Sequence, residues 1–572
     1  MGRYFRPFAI IISIFALFIT VDGWTQSSPK VIEIQQAGSA TKDEAQFPGA
    51  TILNRSDTDR VHLFHQGALI VSDYAIFYPS ENNFNARGDV VFTQGDSIRM
   101  TSERLNYNGN TRMAQAFGSV HLIRTDMDLK TERLDLDRVK NQVYYNTPGV
   151  IVDSLNTLTS EQGIYYMDQK KYRFLSDVVI VNPDYTINSE RLDYFTQINH
   201  AFLYGPTEIV GSDYNIQSER GFYDMDDDIG IFKQNAIIYY DNKIIEGDSL
   251  YFDNNLQYAA ATSNIRLTDT INRSIIEGHY GEVFKARDSA IITHRALATN
   301  IFDNDSLYIH GDTLIITGPP EKRIFKAFYD VRLFKTDIQG RSDSLILDES
   351  TGLTKLLRRP FTKKEQQVMT PKDLTNRNPV MWFDKTQMTG DEIQLISNPQ
   401  TNKLDSLHID GNALIIEKDT LSLDGFNQIS GAQLGGSFND GKLESLDVTK
   451  NTTMIYYFYS DETLELIGID KATCSGMRID FKLGKAVNIK FIGRPEGKLY
   501  PESDLDPNER KLEEFSFRES EKPTKIQDLF SPEDLAYKPK IIEEIPFIEE
   551  DTENEEIPFI EEDTENEVVQ EQ

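Results

Sequence analysis

The sequence is poor in the residues that build disulfides, metal sites and catalytic centres. It contains one cysteine, Cys474, so neither an intrachain disulfide nor a cysteine-based zinc site is available. The eight histidines share no repeated position, and there is no His-Glu-x-x-His, no Gly-x-Ser-x-Gly and no glycine-rich phosphate loop. We therefore predict no catalytic residue, no metal site and no cofactor.

Positive charge is scarce as well. The formal net charge is −32, and residues 541–572 hold 14 Asp and Glu without one Lys or Arg. An acidic surface repels phosphate backbones and anionic lipid headgroups. This balance argues against a nucleic-acid partner and against peripheral docking on a membrane.

Long apolar runs are absent after the N-terminus. Arg3 and Arg6 precede an apolar run over residues 8–21, which is typical of a secretory signal peptide and short of the roughly 20 residues that a membrane-spanning helix needs. We expect a cleaved signal peptide over residues 1–25 and an exported protein. An uncleaved anchor is the alternative.

A series of evenly spaced acidic residues, which we call the ruler, organises the repeated part of the sequence. Successive acids stand 29 residues apart, each inside a similar segment such as MTSERLNY or INSERLDY. The six positions are Glu103, Glu132, Glu161, Glu190, Glu219 and Asp248. Self-similarity at a fixed period of this size predicts stacked supersecondary units.

Each repeat contains two strand signals joined by a short turn, which predicts antiparallel pairs. In the acid-centred strand, Met100 stands at the opposite parity to Leu105 and Tyr107. Because side chains alternate with period two, this switch predicts a bulge or corner at Ser/Thr-Glu. The hydroxyl and the carboxylate can satisfy the backbone groups that such a corner frees.

The spaced acids are interpreted as structural. Their even distribution at bends favours hydrogen bonds at the corner, or pairing with the Arg that often follows each acid, over catalysis. Asp224, Asp226 and Asp228 mimic the start of a calcium loop, but Ile229 and Asn235 occupy the turn and bidentate-ligand positions. We predict an acidic hairpin tip there.

The repeat unit, an apolar residue, Ser/Thr and an acid followed by a turn and Ala-x-Gly-x-Val-x-Leu, resembles the OstA-like family of periplasmic lipopolysaccharide-transport (Lpt) proteins. MTSERLNYNGNTRMAQAFGSVHLI (100–123) carries the pattern most fully. LIVSDYAIFY with FNARGDVVF, and LKTERLDLDRVKNQVYYNTPGVIV, carry it nearly as well. The similarity is clear over residues 61–300 and looser over 300–495.

The resemblance implies an all-β fold: an elongated, V-shaped antiparallel β-jellyroll of two facing sheets, built from 29-residue two-strand repeats. It also implies a non-enzymatic carrier or bridge in the periplasm that shields the acyl chains of lipid A on their way to the outer membrane. Partners would be lipopolysaccharide and other Lpt-type jellyrolls stacked through edge strands, with contact to the inner or outer membrane made through those partners.

Carried over by position, the candidate lipid-facing residues come from both strands of the repeats. They are Leu105, Tyr107, Val120, Leu122, Leu134, Leu136, Val150, Val152, Val178, Ile180, Leu192 and Tyr194. Core and groove residues look alike in sequence, so an open groove and a packed interior both stay open. The rival functions are an exported β-solenoid enzyme acting on polysaccharide and a β-repeat scaffold or adhesin that binds no lipid.

The chain divides into five predicted segments. They are the signal peptide 1–25, a lead-in 26–60, regular repeats 61–300, a looser repeat region 301–500 with an inserted loop 358–380, and a disordered acidic tail 501–572. In the tail, EEIPFIEEDTEN (543–554) recurs letter for letter at 555–566. Its IPFI islands could add a strand to the sheet edge of an unknown partner. The alternative is a duplicated, solvated tail.

Overall fold

The computed structural model describes residues 31–539 except 126, 154, 303–304, 320–321, 402, 461 and 483–484. The predicted signal peptide and the duplicated EEIPFIEEDTEN segments lie outside the described residues. The chain separates into two compact units, Met1–Thr147 and Pro148–Gln572. Within the described ranges, no helix combines the length and the apolar content needed to cross a membrane.

The first unit contains eleven strands within the described residues. They are β1 Glu33–Gln36, β2 Ser39–Thr41, β3 Thr51–Asn54, β4 Val61–His65, β5 Ala68–Ser72, β6 Tyr74–Tyr78, β7 Asn83–Gln94, β8 Ile98–Asn108, β9 Met113–Arg124, β10 Met127–Asp137 and β11 Gln142–Tyr145. The predicted lead-in at 26–60 holds three of these strands, all of them short. Ala50 and Leu53 are buried there, so apolar contacts fix a segment that lacks the repeat.

The second unit begins with short strands. They are β12 Gly149–Val152, β13 Thr157–Ser160, β14 Gln162–Tyr166, β15 Lys171–Ser176, β16 Val178–Val181, β17 Tyr185–Ser189, β18 Leu192–Phe195, β19 His200–Leu203, β20 Thr207–Gly211, β21 Asn215–Ser218 and β22 Arg220–Asp224. Longer strands follow. They are β23 Ile229–Tyr240, β24 Lys243–Asp253, β25 Tyr258–Asp269, β26 Ser274–Phe284, β27 Ser289–Ile301, β28 Ser306–Thr317, β29 Ile324–Phe334 and β30 Ile338–Asp348.

The remaining elements of the second unit include three helices. The strands are β31 Leu353–Leu357, β32 Val380–Phe383, β33 Thr386–Thr389, β34 Glu392–Ser397, β35 Leu404–Lys418, β36 Phe426–Asn439, β37 Lys442–Tyr459, β38 Leu466–Lys482, β39 Lys485–Ile492 and β40 Glu496–Tyr500. The helices are α1 Lys363–Val368, α2 Pro371–Arg377 and α3 Pro532–Ala536. The region predicted as a loop at 358–380 thus contains two helices. A capping box between Thr362 and Glu365 starts the first of them.

The described strand pairs are antiparallel, which confirms the predicted all-β fold class. It also removes the β-solenoid alternative, because a solenoid winds parallel coils. In each unit the strands form two facing walls that meet at a crease. In β24, the residues up to Glu246 belong to the leading wall and those from Ser249 onward to the trailing wall. Between residues 149 and 224 the crease interrupts the strands, so each wall has separate short strands.

A bulge in the ladder forms the crease, as the parity switch predicts. The pairing of β23 with β24 slips between Lys233 and Ala236, and the two intervening residues, Gln234 and Asn235, have φ of 59° and 54°. The same paired left-handed conformation occurs at Ser263 and Asn264. Two extra residues with positive φ turn the strand so that its inward face changes.

The acids of the ruler accept hydrogen bonds at this bulge. The Asn235 side chain donates to Glu219 Oε1 (2.7 Å), and Asn264 donates to Asp248 Oδ2 (2.8 Å). In the first unit the Ser119 amide donates to Glu132 Oε2 (3.2 Å). The structural interpretation of the acids is therefore confirmed at these positions.

The serine hydroxyl before several of the acids has its own repeated partner. Ser102 Oγ donates to the carbonyl of Arg104 (3.0 Å), and the Ser189 and Ser218 hydroxyls donate in the same way to the carbonyls two residues on. The arginines after the acids make a contact that the sequence did not indicate. Arg191 and Arg220 both lie over the ring of Tyr204, at 5.6 and 5.9 Å from its centroid.

A ladder of aliphatic side chains fills the inner face of the leading wall in the second unit. Cross-strand pairs join its members directly, so they share one face. In order, the ladder contains Ile151, Leu158, Ile180, Ile187, Ile209, Ile216, Ile238, Ile245 and Leu267. All are almost fully buried. At about 1.5–3 kcal/mol for each side chain, this burial strongly favours stacking of the repeats.

Residues 501–539 fold back over the second unit as a strap, which corrects the prediction that the tail begins disordered at 501. Short 3₁₀ turns at Glu502–Asp504, Pro507–Arg510, Glu519–Glu521 and Ile526–Leu529 alternate with extended residues. Leu505 and Leu529 are buried, the first against Tyr457 and Ile469. The proline-punctuated composition hid these anchors because they follow no period.

Two buried glutamines hold the strap by its backbone. Gln428 Nε2 donates to the carbonyl of Arg510 (2.8 Å), and its Oε1 accepts from the amide of Leu512 (2.9 Å). Gln387 repeats this pattern with Ser516 and Arg518, at 2.7 and 2.6 Å. Each side-chain amide thus makes the two hydrogen bonds that a neighbouring strand would otherwise make with the strap backbone.

The strap then runs across the strands in reverse chain order. Arg341 of β30 pairs with Glu521 (2.8 Å), and His310 of β28 contacts Asp534 (Nε2 to Oδ2, 3.1 Å). Tyr537 stacks on His294 of β27 and His279 of β26, with centroid separations of 4.6 and 5.4 Å. No periodic sequence signal marks these side chains.

Replacing Gln428 with leucine should loosen the strap. The change leaves the Arg510 carbonyl and the Leu512 amide buried without a partner, and each unpaired group costs about 1–3 kcal/mol. Amide hydrogen exchange in residues 505–518 should therefore accelerate by roughly tenfold or more in Gln428→Leu. Gln433→Leu, an exposed position on the same strand, should leave the exchange unchanged. Equal exchange in the two variants would contradict the clamp.

Candidate functional site

The space between the two walls is the candidate site. Ten of the twelve predicted inward residues do face it and are buried, with exposures of 0–2%. They are Leu105, Tyr107, Val120, Leu122, Leu134 and Leu136 in the first unit, and Val178, Ile180, Leu192 and Tyr194 in the second. These positions are closely packed core, so whether any of them meets a lipid stays a prediction.

Val150 and Val152 are corrected to the outer face. They are 38% and 46% exposed, whereas Ile151 between them is 3% exposed. A shift of one residue exchanges the faces of a strand. The prediction placed Val150 and Val152 thirty residues after Val120 and Leu122, whereas a strict 29-residue step from Leu122 arrives at Ile151 and then at Ile180. The ruler itself therefore contained the signal for the correct face.

In the first unit, polar groups close the interior at the strand ends opposite the crease. Tyr107 Oη lies 2.8 Å from His65 Nδ1 and accepts from Arg138 Nη1 at 2.6 Å. Arg138 also donates to Gln94 Oε1 (2.7 Å). Burial raises the pKa of the Tyr107 phenol, although the neighbouring Arg138 opposes that rise. This network holds a neutral tyrosine inside the apolar interior.

The two walls meet through aromatic contacts in the regular part of the second unit. Tyr185 of the leading wall packs edge-to-face on Tyr223 of the trailing wall (5.4 Å), and its hydroxyl donates to the Met225 carbonyl (3.1 Å). Tyr194 donates to Asp153 across the same gap (3.2 Å). Over these repeats the walls are joined.

The predicted acidic hairpin tip lies at the end of this packed region. Asp224 Oδ1 accepts from the amides of Asp226 (3.0 Å) and Asp227 (3.1 Å), which is the geometry of a turn. Asp228 accepts from Asn254 and from Tyr214. In the described part of the chain, no group of three or more His, Cys, Asp or Glu is arranged to hold a metal ion.

Farther along the second unit the walls separate around a cavity of about 710 Å³. Its apolar lining comes from inner-face residues of both walls, including Ile309, Leu333, Leu345, Leu347 and Leu395. This volume lies within the range of about 300–1,000 Å³ that is usual for small-molecule sites. The cavity is lined by residues that the sequence prediction did not select.

Turn residues from both walls form the rim of this cavity. Asn272, Lys335 and Asp337 come from leading-wall turns, and Lys403 and Asp440 come from trailing-wall turns. Because these turns end the strands opposite the crease, the cavity lies at the mouth between the walls. Lys335 pairs with Asp337 (2.8 Å), and Lys403 pairs with Asp440.

A second cavity, of about 470 Å³, is lined by Met388, Ile415, Ile429 and Met454 among others. Phe383 lines both cavities and packs edge-to-face on Phe438 at 5.6 Å. Phe383 ends a leading-wall strand and Phe438 is near the end of a trailing-wall strand. This aromatic contact therefore spans the mouth between the two spaces.

One carboxyl group in the larger cavity is held in an environment that disfavours its charge. Burial raises the pKa of Glu349, and Asp269 adds to the rise while Arg323 opposes it. Arg323 is itself buried and donates to Asp269 Oδ2 at 2.7 Å. Burial opposes ionisation of Asp269 too, but hydrogen bonds from Asn272 and Arg323 leave its pKa below the usual value.

Part of the chain is similar to a known protein family and to known structures. Residues 30–190 match the family model described as OstA-like protein. No curated protein matches the chain. Among the solved structures is LptH from Pseudomonas aeruginosa, described as the LptA homologous periplasmic component of the conserved lipopolysaccharide transport device. It is 17% identical over 24% of this chain and 80% of that one, with a TM-score of 0.13.

Glu349→Gln should make the protein more stable at neutral pH. A carboxyl whose folded-state pKa is raised contributes stability below its unfolded pKa, about 4.3, and loses it as pH rises through the folded value. The melting temperatures of variant and parent should therefore agree at about pH 4. As the pH rises to about 7, the melting temperature of the variant should become higher than that of the parent.

Glu444→Gln, at an exposed position, is the control for this titration. Its melting temperature should follow the parent at every pH. A constant offset between Glu349→Gln and the parent across the pH range would argue against a raised pKa at Glu349.

Proposed function

We propose that this protein binds lipopolysaccharide in the periplasm and carries it towards the outer membrane, with the acyl chains of lipid A held in the mouth between the walls. The observation that carries the proposal is the cavity of about 710 Å³ lined by inner-face leucines and isoleucines. Transferring one CH₂ group from water to such a lining contributes about 0.8 kcal/mol. About ten buried methylenes would therefore supply roughly 8 kcal/mol before the cost of ordering the ligand.

The rim fits the other end of the same ligand. Lys335, Lys403 and Lys442 are at the turns around the mouth, where a lipid phosphate would lie once its chains enter the cavity. The overall charge of −32 keeps anionic lipid from binding elsewhere on the surface. The OstA-like match at residues 30–190 and the repeat pattern support the same class of ligand.

The protein acts without catalysis in this proposal. The carboxylates of the ruler accept hydrogen bonds at the crease, and the described residues offer no metal cluster. Partners would be other jellyroll proteins that pair with free edge strands. The alternative of a scaffold that binds no lipid predicts that the cavity stays empty in the cell.

Photocrosslinking distinguishes the carrier from the scaffold. A photoreactive residue at Leu307 or Leu347, inside the cavity, should label lipopolysaccharide in cells. The same residue at Ile346 should not, because Ile346 points out of the same strand on which Leu347 points in. Absence of labelling at both cavity positions, with normal protein levels, would refute the proposal.

Filling the cavity should weaken binding. Leu347→Trp adds bulk where the acyl chains would lie, so binding of purified lipopolysaccharide should fall by roughly tenfold or more, a loss of about 1.4 kcal/mol. Ile346→Trp is the matched control, and its affinity should equal that of the parent. Unchanged affinity in Leu347→Trp, with the variant folded by circular dichroism, would place the ligand elsewhere.

A further inference from the structure

The smaller cavity, of about 470 Å³, has an apolar floor. On the leading wall, direct cross-strand pairing connects the side chains of this floor, so they point to the same side. They are Met388, Ile415, Ile429 and Met454. The trailing wall faces them with a second paired row, Leu446, Ile479 and Ile489. An apolar chain can therefore lie between the two rows.

The end of this cavity nearest the mouth is polar on the leading wall. Residues two apart on a strand share a face, so the row one step beyond the floor also points inward. It contains Thr386, Glu417, Asn427 and Tyr456, all of which line the cavity. Glu417 is the one charged member of this row.

The Glu417 carboxylate has no hydrogen-bond or ion-pair partner among the residues that the structure describes. Lys418, the next residue, belongs to the opposite face of the strand. Burial raises the pKa of Glu417, and Asp384 and Asp419 add to the rise while Lys385 opposes it. A cation placed beside Glu417 would favour its charged form and supply the partner that the chain does not.

Two tyrosines line the same end of the cavity. Burial raises the pKa of the Tyr456 phenol, and the nearby carboxylates of Glu417 and Asp419 add to the rise. Burial raises the pKa of Tyr459 as well, and its hydroxyl donates to Asp419 Oδ2. Both rings therefore stay neutral at physiological pH. The face of a neutral aromatic ring attracts an ammonium group, as a carboxylate does.

The two cavities differ in the charge of the residues around their openings. Lys335, Lys403 and Lys442 lie at the rim of the larger cavity. Glu417 and Asp419 lie at the corresponding end of the smaller one. The two spaces thus offer opposite charges to the headgroup of an amphiphile whose chain enters them, and the aromatic contact described above lies between them.

We propose that the smaller cavity binds a single-chain amphiphile with a primary ammonium headgroup. The chain lies between the two apolar rows, and the ammonium group donates to Glu417 beside the rings of Tyr456 and Tyr459. A primary ammonium suits this end because it has three N–H donors and no acceptor. This site is separate from the one proposed for lipopolysaccharide, and neither proposal depends on the other.

Calorimetric titration of the full chain with dodecylamine tests the headgroup. Dodecylamine, kept below its micelle concentration, should bind at least roughly tenfold more tightly than dodecanoate, which has a chain of the same length and a negative headgroup. Glu417→Gln should weaken the binding of dodecylamine by roughly tenfold or more, because it removes the charged acceptor. Glu444→Gln removes the same charge at an exposed position and should leave the affinity unchanged.

Two tryptophan variants test where the chain lies. Met454→Trp adds bulk to the floor of the smaller cavity and should weaken the binding of dodecylamine by roughly tenfold or more. Leu347→Trp adds the same ring to the larger cavity and should leave this affinity unchanged. Circular dichroism checks that both variants are folded, and the conservative Glu417→Gln decides the test if Met454→Trp is not.

Four outcomes would overturn the proposal. The first is that dodecylamine does not bind the parent protein. Equal losses of affinity in Glu417→Gln and Glu444→Gln would assign the binding to general attraction by the acidic surface. Equal affinities for dodecylamine and dodecanoate would show that the headgroup is not recognised. A loss of affinity in Leu347→Trp would place the chain in the larger cavity.

Discussion

The crease is the constraint on which the rest of the structure depends. A straight strand presents alternate residues to one face, so it cannot serve two facing walls without changing its parity. Here two residues with positive φ, such as Gln234 and Asn235, make that change on one strand. The neighbouring strand places a serine and an acid opposite them. Their hydrogen bonds compensate the interrupted ladder, at a net value of about 1 kcal/mol each.

This dependence explains which parts of the fold the sequence predicts. The acid ruler identifies the crease, the parity switch and the antiparallel pairs because each repeats with the same period. The inner ladder follows from the same ruler, and Val150 and Val152 are misplaced only because the step from Val120 and Leu122 is 30 residues there instead of 29. The strap has no such signal. Its partners are the side chains of Gln387 and Gln428, which stand alone among unrelated neighbours in the sequence.

The sequence also does not predict which parts of the interior are packed and which are open. Ile238, which is packed against its neighbours, and Ile309, which lines the larger cavity, belong to the same inner face and are equally buried. What differs is the distance between the walls at the mouth. Close packing at the crease persists beside the cavity, since a Cβ on Gly390 would meet Ile409 Cγ2 at 2.1 Å. The amino-acid sequence does not show how far apart the two walls are. Residues of the open and closed parts of the interior therefore cannot be distinguished from the sequence.

The strap and the cavities act on opposite faces of the same strands. Met388 and Ile415 line the smaller cavity, and their neighbours Gln387 and Ile416 are buried on the outer face that the strap crosses. A wall beside a cavity lacks the inward contacts that hold the walls together at Tyr185 and Tyr223. On the outer side of this wall, the hydrogen bonds between Gln387 or Gln428 and the strap backbone replace part of those missing contacts. An interior that stays open enough to admit a ligand is thus compatible with ordered strands, because the leading wall is braced from outside.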